Sequence, residues 1–146
     1  IKATEGDVQD YEYIRKDINQ IVNLYDVQSI AFDRWNSSQL IIQLSQQDGI
    51  PMSQFGQGYR SMSAPCKELE KLVLKKEINH LNNPVLRWQC ENVQLQTDPA
   101  QNIKINKAKS SEKVDGMVAL VMALGEMMTD ESPGESIYND RGILSF

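Results

Sequence analysis

The segment KVDGMVALVMALG, residues 113–125, holds an unbroken apolar run from Met117 to Leu124. A helix that is apolar on nearly every side has to be buried. The run is also well short of the roughly 20 residues that a membrane span needs. Other elements must therefore surround this helix, and 146 residues are enough for one domain with a real core. Two residues fit poorly with a purely space-filling role. Asp115 and Gly116 stand at the start of the helix, and the carboxylate is either a favourable charge at a helix N-terminus or a ligand.

The elements around it alternate. Tyr11, Ile14, Ile18, Ile21 and Tyr25 recur at three- and four-residue steps, which predicts an amphipathic helix over 8–25 with Asp7 as its N-cap. VQSIAFD, 27–33, reads as a short buried strand ending on Asp33. A second helix is expected over 37–49, capped by Ser37 or Ser38 and stopped by Gly49. IPMSQF, 50–55, is strand-like, and GQGYRS, 56–61, reads as a loop. SAPCKELEKLVLKKE, 63–77, predicts a helix with Pro65 in its first turn, and another short helix is expected from Pro84. Residues 93–107 look like two short strands joined by the turn TDPAQN. The last helix is expected over 113–128, followed by an irregular tail over 129–146. Strands alternating with helices imply an α/β fold, a parallel or mixed sheet covered by helices. One domain over 1–146 is the reading. The chain starts without Met on IKATEGDVQDYEYI, which reads like the middle of a protein.

Composition excludes several classes. The net charge is −5 and the pI about 4.9, so the chain as a whole is no electrostatic nucleic-acid binder. Cys66 and Cys90 form no CxxC pair and give no zinc signature. A single histidine, His80, rules out a site built on two imidazoles from this chain. No G-x-S-x-G, GxxxxGKS or GxGxxG occurs, so neither a nucleophile elbow nor a familiar phosphate loop is present, and Gly56 and Gly58 read as a flexible connection.

The strongest chemical signal is the pair Asp33 and Asp115. A strand that is apolar up to its last residue and ends in Asp presents that carboxylate at the carboxyl edge of a sheet, where ligands of open α/β folds bind. Two convergent carboxylates are hard oxygen ligands suited to Mg²⁺ or Mn²⁺. The bland alternative leaves Asp115 as a helix-terminal charge and Asp33 as a cap for the turn DRWN. Lys67, Lys71, Lys75 and Lys76 form either a solvated helix face or a basic strip along a phosphate backbone. With Lys67 and Lys71, His80 and Lys113 complete the candidate DNA contacts. Trp35 and Trp88 read as core or partly buried residues, although they could stack on bases.

In order, YDVQSIAFDRWN, GQGYRSMSAPCKELEKLV, INHLNNPVLRWQCENV, KVDGMVALVMALG and SIYNDRGILSF resemble the C-terminal nuclease domain of the large terminase subunit of tailed bacteriophages. Each segment alone is a weak signal; five in order over nearly the whole chain are fairly specific. The resemblance implies a ribonuclease H-like fold, a mixed central sheet flanked by helices, with two divalent metal ions held by carboxylates at one edge. By position, Asp33 and Asp115 match two of those carboxylates. The first strands of the family's domain, which carry a further Asp, have no counterpart, so the chain reads as an N-terminally truncated copy with little cleavage activity of its own.

The implied activity is cutting of concatemeric double-stranded viral DNA during genome packaging. The implied partners are the portal protein, the small terminase subunit and an N-terminal ATPase domain of the same subunit. The implied place is the host bacterial cytoplasm at the procapsid portal, with no membrane. A second class of reading is a non-catalytic module that docks on the portal, the small subunit or the ATPase domain. It predicts metal-independent stability and an exposed apolar patch. A third is another ribonuclease H-like enzyme, such as a resolvase or transposase.

Overall fold

The computed structural model describes residues 11–33 and 38–130. The expected Asp7 cap, Trp35 and the segment SIYNDRGILSF lie outside them. Contacts group the chain into two compact units, Ile1–Gly56 and Gln57–Phe146.

In the first unit, helix α1 spans Tyr11–Leu24. Strand β1, Ile30–Phe32, runs parallel to β2, Met52–Gln54, with Ile30 opposite Met52 and Phe32 opposite Gln54. The amide of Phe55 donates to the Phe32 carbonyl at 2.8 Å and extends the ladder by one bond. Both strands are shorter than the apolar runs that predicted them. Between them, α2, Ser38–Ile42, continues as a π-helix over Gln43–Gln47. That wider turn is closed by the Asp48 amide on the Gln43 carbonyl, and Gly49, with φ at +70°, ends the helix where expected.

The core of this unit is Leu40, Leu44 and Ile50, against which Ile18, Val22, Ile30 and Met52 pack. This corrects the face assigned to α1. Of the five apolar positions that predicted it, Ile18 packs inward, while Tyr11, Ile14, Ile21 and Tyr25 are exposed. The inward stripe carries polar residues because they are tied down. Arg15 donates from Nε and Nη2 to the two carboxylate oxygens of Asp48 at 2.7 and 2.5 Å, and Asn19 Nδ2 adds a third bond at 2.8 Å. Hydrogen bonding from the guanidinium, then from Asn19, holds the Asp48 carboxyl down to about 2. A two-pronged ion pair between helices thus rotates α1 away from the orientation its apolar residues alone would choose.

In the second unit, α3 spans Tyr59–Lys75, beginning four residues before the expected start at Ser63. The Gly58 carbonyl accepts from Met62 and begins the helical ladder upstream, so residues 59–61 are helix rather than loop. Pro65 consequently sits inside the helix and not in its first turn. Ser63 also lies inside the helix: it is buried, and its Oγ accepts the Ile103 amide at 3.2 Å. Lys76, in the left-handed region at φ 60°, closes the helix C-terminus.

Helix α4, Pro84–Asn92, is capped by Asn83, whose Oδ1 accepts from the amides of Val85 and Leu86. Trp88 on this helix is 42% exposed, at the solvent side of what was expected for it. Strands β3, Leu95–Thr97, and β4, Ile103–Ile105, form the expected antiparallel hairpin. Asp98 closes its turn through the amide and side chain of Asn102. Helix α5, Asp115–Asp130, runs two residues into the stretch expected to be irregular. Val114, Met117, Val118, Val121 and Met122 are buried, while the small residues Ala119 and Ala123 face outward. α5 packs on α3 and α4, and β4 packs on α3.

Candidate functional site

Each unit carries one of the two candidate carboxylates. Asp33 follows β1 directly, at the carboxyl end of the parallel pair, and is half-buried. That is the position the sequence argument required of it. Asp115 is the first residue of α5, and its backbone is fixed because Val114 is buried and accepts the Val118 amide at 3.0 Å. Its side chain is 69% exposed. A carboxylate here favours the helix N-terminus and remains open to a ligand.

Among the described residues, the cation paired with Asp115 is one that the sequence reading did not select. Lys107 Nζ lies 3.6 Å from Asp115 Oδ1, an ion pair without a short hydrogen bond. The run INKAKSSEKVD held the signal, since Lys107, Lys109 and Lys113 all precede Asp115 closely. Among the described residues, no group of three or more His, Cys, Asp or Glu side chains is arranged to hold a metal ion.

The space at Gly116 has a packing explanation. A Cβ there would collide with Gln89 Oε1 of α4 and also touch Leu86, so the glycine lets α4 approach the first turn of α5. Gln89 Oε1 is buried and has no hydrogen-bond partner among the described residues, a cost accepted at this close contact.

The candidate DNA contacts fare differently from one another. Lys67 is exposed on α3, and its charge helps to lower the Asp98 carboxyl, after the larger effects of Asn102. Lys71 Nζ binds both carboxylate oxygens of Glu68 at 2.9 Å. Lys75 lies 3.8 Å from Glu77, so the α3 strip is partly neutralised by its own acids. Lys113 is exposed, two residues before α5. His80 lies in the loop between α3 and α4, where its buried Nδ1 has no hydrogen-bond partner among the described residues. It lines a mainly apolar cavity of about 390 Å³ with Leu69, Val73, Leu86, Cys90 and Met117. Both cysteines are free; Cys66 is buried, which pushes its thiol up, and Cys90 is exposed.

Residues 1–131 match the family described as terminase large subunit, endonuclease domain. The chain is 35% identical over 130 residues to the terminase large subunit of Enterobacteria phage HK97, covering 86% of this chain and 25% of that protein. It is 32% identical over 133 residues to Protein YmfN of Escherichia coli (strain K12), covering 90% of this chain and 29% of that protein. The chain therefore spans between a quarter and a third of the length of these relatives. The crystal structure of the HK97 bacteriophage large terminase superposes with a TM-score of 0.73 at 35% identity, over 80% of this chain and 25% of that one. The α/β, ribonuclease H-like architecture expected from the ordered segments is the one shared with that structure.

Proposed function

The chain belongs to the terminase large subunit endonuclease family, and on that premise we propose that it is the DNA-cutting part of a viral packaging motor. Its substrate is concatemeric double-stranded DNA, and its reaction is metal-dependent hydrolysis of the phosphodiester backbone. The observation that carries this reading is the placement of two carboxylates within the matched region. Asp33 ends a strand of a parallel pair, and Asp115 opens the most apolar helix of the chain.

The donor chemistry fits a divalent ion. Both groups are hard carboxylate oxygens, the kind Mg²⁺ and Mn²⁺ select. Asp115 is largely exposed, and its ion pair with Lys107 stands at 3.6 Å, too long for a short hydrogen bond. Two such ions, when bound, generate a nucleophile from water at neutral pH and stabilise charge on the phosphate being cleaved. The residues of this chain contribute orientation. Asp33 is positioned by the β1–β2 ladder, which the Phe55 amide extends past Phe32. Asp115 is positioned by α5, whose first turn is anchored by Val114 and Met117. A rigid supporting element is what each ligand needs. No histidine is required, consistent with a chain that has one.

The test is plasmid nicking with Mn²⁺ by the large subunit carrying these residues. Asp33→Ala and Asp115→Ala should each slow nicking by about a hundredfold or more, since even outer-shell partners of metal ligands are worth roughly 10–100-fold. Unchanged nicking in either variant removes that residue from the site. EDTA should abolish the activity of the wild type.

A second reading has its own support. Tyr13, Ile21, Leu24 and Tyr25, on and just after α1, are between 52% and 77% exposed. Such a surface suits docking on the portal, the small terminase subunit or an ATPase domain. It is compatible with a nuclease in a motor that works in the host cytoplasm. Among the described residues, no helix is long and apolar enough to cross a membrane.

A further inference from the structure

A chain of net charge −5 that offers carboxylates to DNA meets an electrostatic obstacle. The polyanion is repelled both by the molecule as a whole and by the residues meant to act on it. Cations close to those carboxylates have to offset this. On α3, Lys71 is held by Glu68, Lys75 lies near Glu77, and the charge of Lys67 acts on Asp98. Arg15 is committed to Asp48, and Lys104 lies over the Tyr59 ring at 5.0 Å from its centroid.

The segment between β4 and α5 is different. Residues 107–113 carry three lysines against one glutamate. Lys109 and Lys113 are exposed and make no ion pair among the described residues, and Lys107 reaches the Asp115 carboxylate. The backbone beneath them is held in one shape by Asn106. Its Oδ1 accepts the amides of Ala108 and Lys109, both at 3.1 Å, and its carbonyl accepts the Ser110 amide and hydroxyl at 3.0 and 2.8 Å. The Asn106 amide donates to the Gln94 carbonyl, Asn106 Nδ2 donates to Gln96 Oε1, and Ser110 Oγ accepts the Gln94 amide. The turn is thus bonded at Asn106 and Ser110 to β3 and the residue before it.

We propose that this Asn106-framed turn is a phosphate-binding element that seats the DNA backbone beside Asp115 through Lys107, Lys109 and Lys113. Lys107 stands beside Asp115 without a short hydrogen bond, so its ammonium offsets that carboxylate's charge and can still face a DNA phosphate. A turn already ordered before DNA arrives loses little conformational freedom on binding, which favours affinity. This inference rests on the nuclease reading and deepens it by assigning how that site holds its substrate.

The experiment measures DNA binding without catalysis. Fluorescence anisotropy of a short labelled duplex, in EDTA over a series of salt concentrations, is compared for wild type and the triple variant Lys107→Gln, Lys109→Gln, Lys113→Gln. Thermal melts establish that each protein is folded. Each phosphate contact contributes about 0.9 to the slope of log affinity against log salt, so the triple variant should lose roughly two to three from that slope. Lys16→Gln, which removes an exposed cation on α1, should leave the slope unchanged. The proposal is overturned if the triple variant keeps the wild-type slope, if Lys16→Gln loses as much per charge as the triple variant, or if the wild type shows no salt-dependent binding. The two readings fail separately. Loss of the turn's role leaves the nicking defect of Asp115→Ala intact, whereas loss of the nuclease role leaves the binding slopes intact.

Discussion

Single residues decide where α1 and α5 sit. The Arg15–Asp48 pair holds the Asp48 carboxyl down to about 2, well below its usual value near 4. A carboxyl held low in the folded state stabilises it above the unfolded value, and that contribution is lost as pH falls from about 4 toward 2. Urea midpoints measured against pH should therefore show Asp48→Asn less stable than wild type near neutrality, with the gap closing below pH 4. A gap that stays constant would mean the ion pair does not set it. Gly116 makes a second prediction at this scale. Gly116→Ala adds helix propensity worth up to about 1 kcal/mol, but its new Cβ meets Gln89. The gain should appear in a Gln89→Ala background and be largely cancelled in the wild type, a coupling of about 1 kcal/mol in a double-mutant cycle. Equal gains in both backgrounds would rule out the contact. The sequence showed that Gly116 was unusual; it could not show that the space belonged to α4, because that contact links residues far apart along the chain.

At the level of elements, patterning was a good guide to type and a poor one to edges and orientation. The hairpin over 93–107 was legible because its turn chemistry is local: Asp98 and Asn102 do what TDPAQN suggests. Pro84 likewise marked the start of α4, and Asn83 before it acts as the cap. Asn83→Ala should lower stability by about 1 kcal/mol in urea unfolding, the usual worth of such a cap. No change would mean that packing alone holds the helix start. The start of α3 was misread because Ser63 and Pro65 together imitate a helix N-terminus. Ser63 instead serves the Ile103 amide, a partner 40 residues away that no local pattern reveals. Ser63→Ala should cost about 1–3 kcal/mol, the scale for a buried amide left unpaired, and it should loosen β4 in hydrogen exchange before the rest of the unit. The α1 face was misjudged for a related reason. Apolar spacing cannot register an ion pair that outweighs it.

For the molecule as a whole, the order of segments carried the most information. The placements of Asp33 after β1 and Asp115 at the start of α5 were legible because each closes or opens an apolar element, and both lie within the region matched to terminase nucleases. Lys107 was not legible as a partner of Asp115, since its approach depends on how Asn106 folds the turn between β4 and α5. The two carboxylates come from different units, and each is assigned from its own element. The most direct test is Mn²⁺-supported plasmid nicking by the large subunit carrying these residues, with Asp33→Ala and Asp115→Ala each compared with the wild type. Each variant should slow nicking by about a hundredfold or more. A variant that nicks like the wild type would contradict the role proposed for that residue.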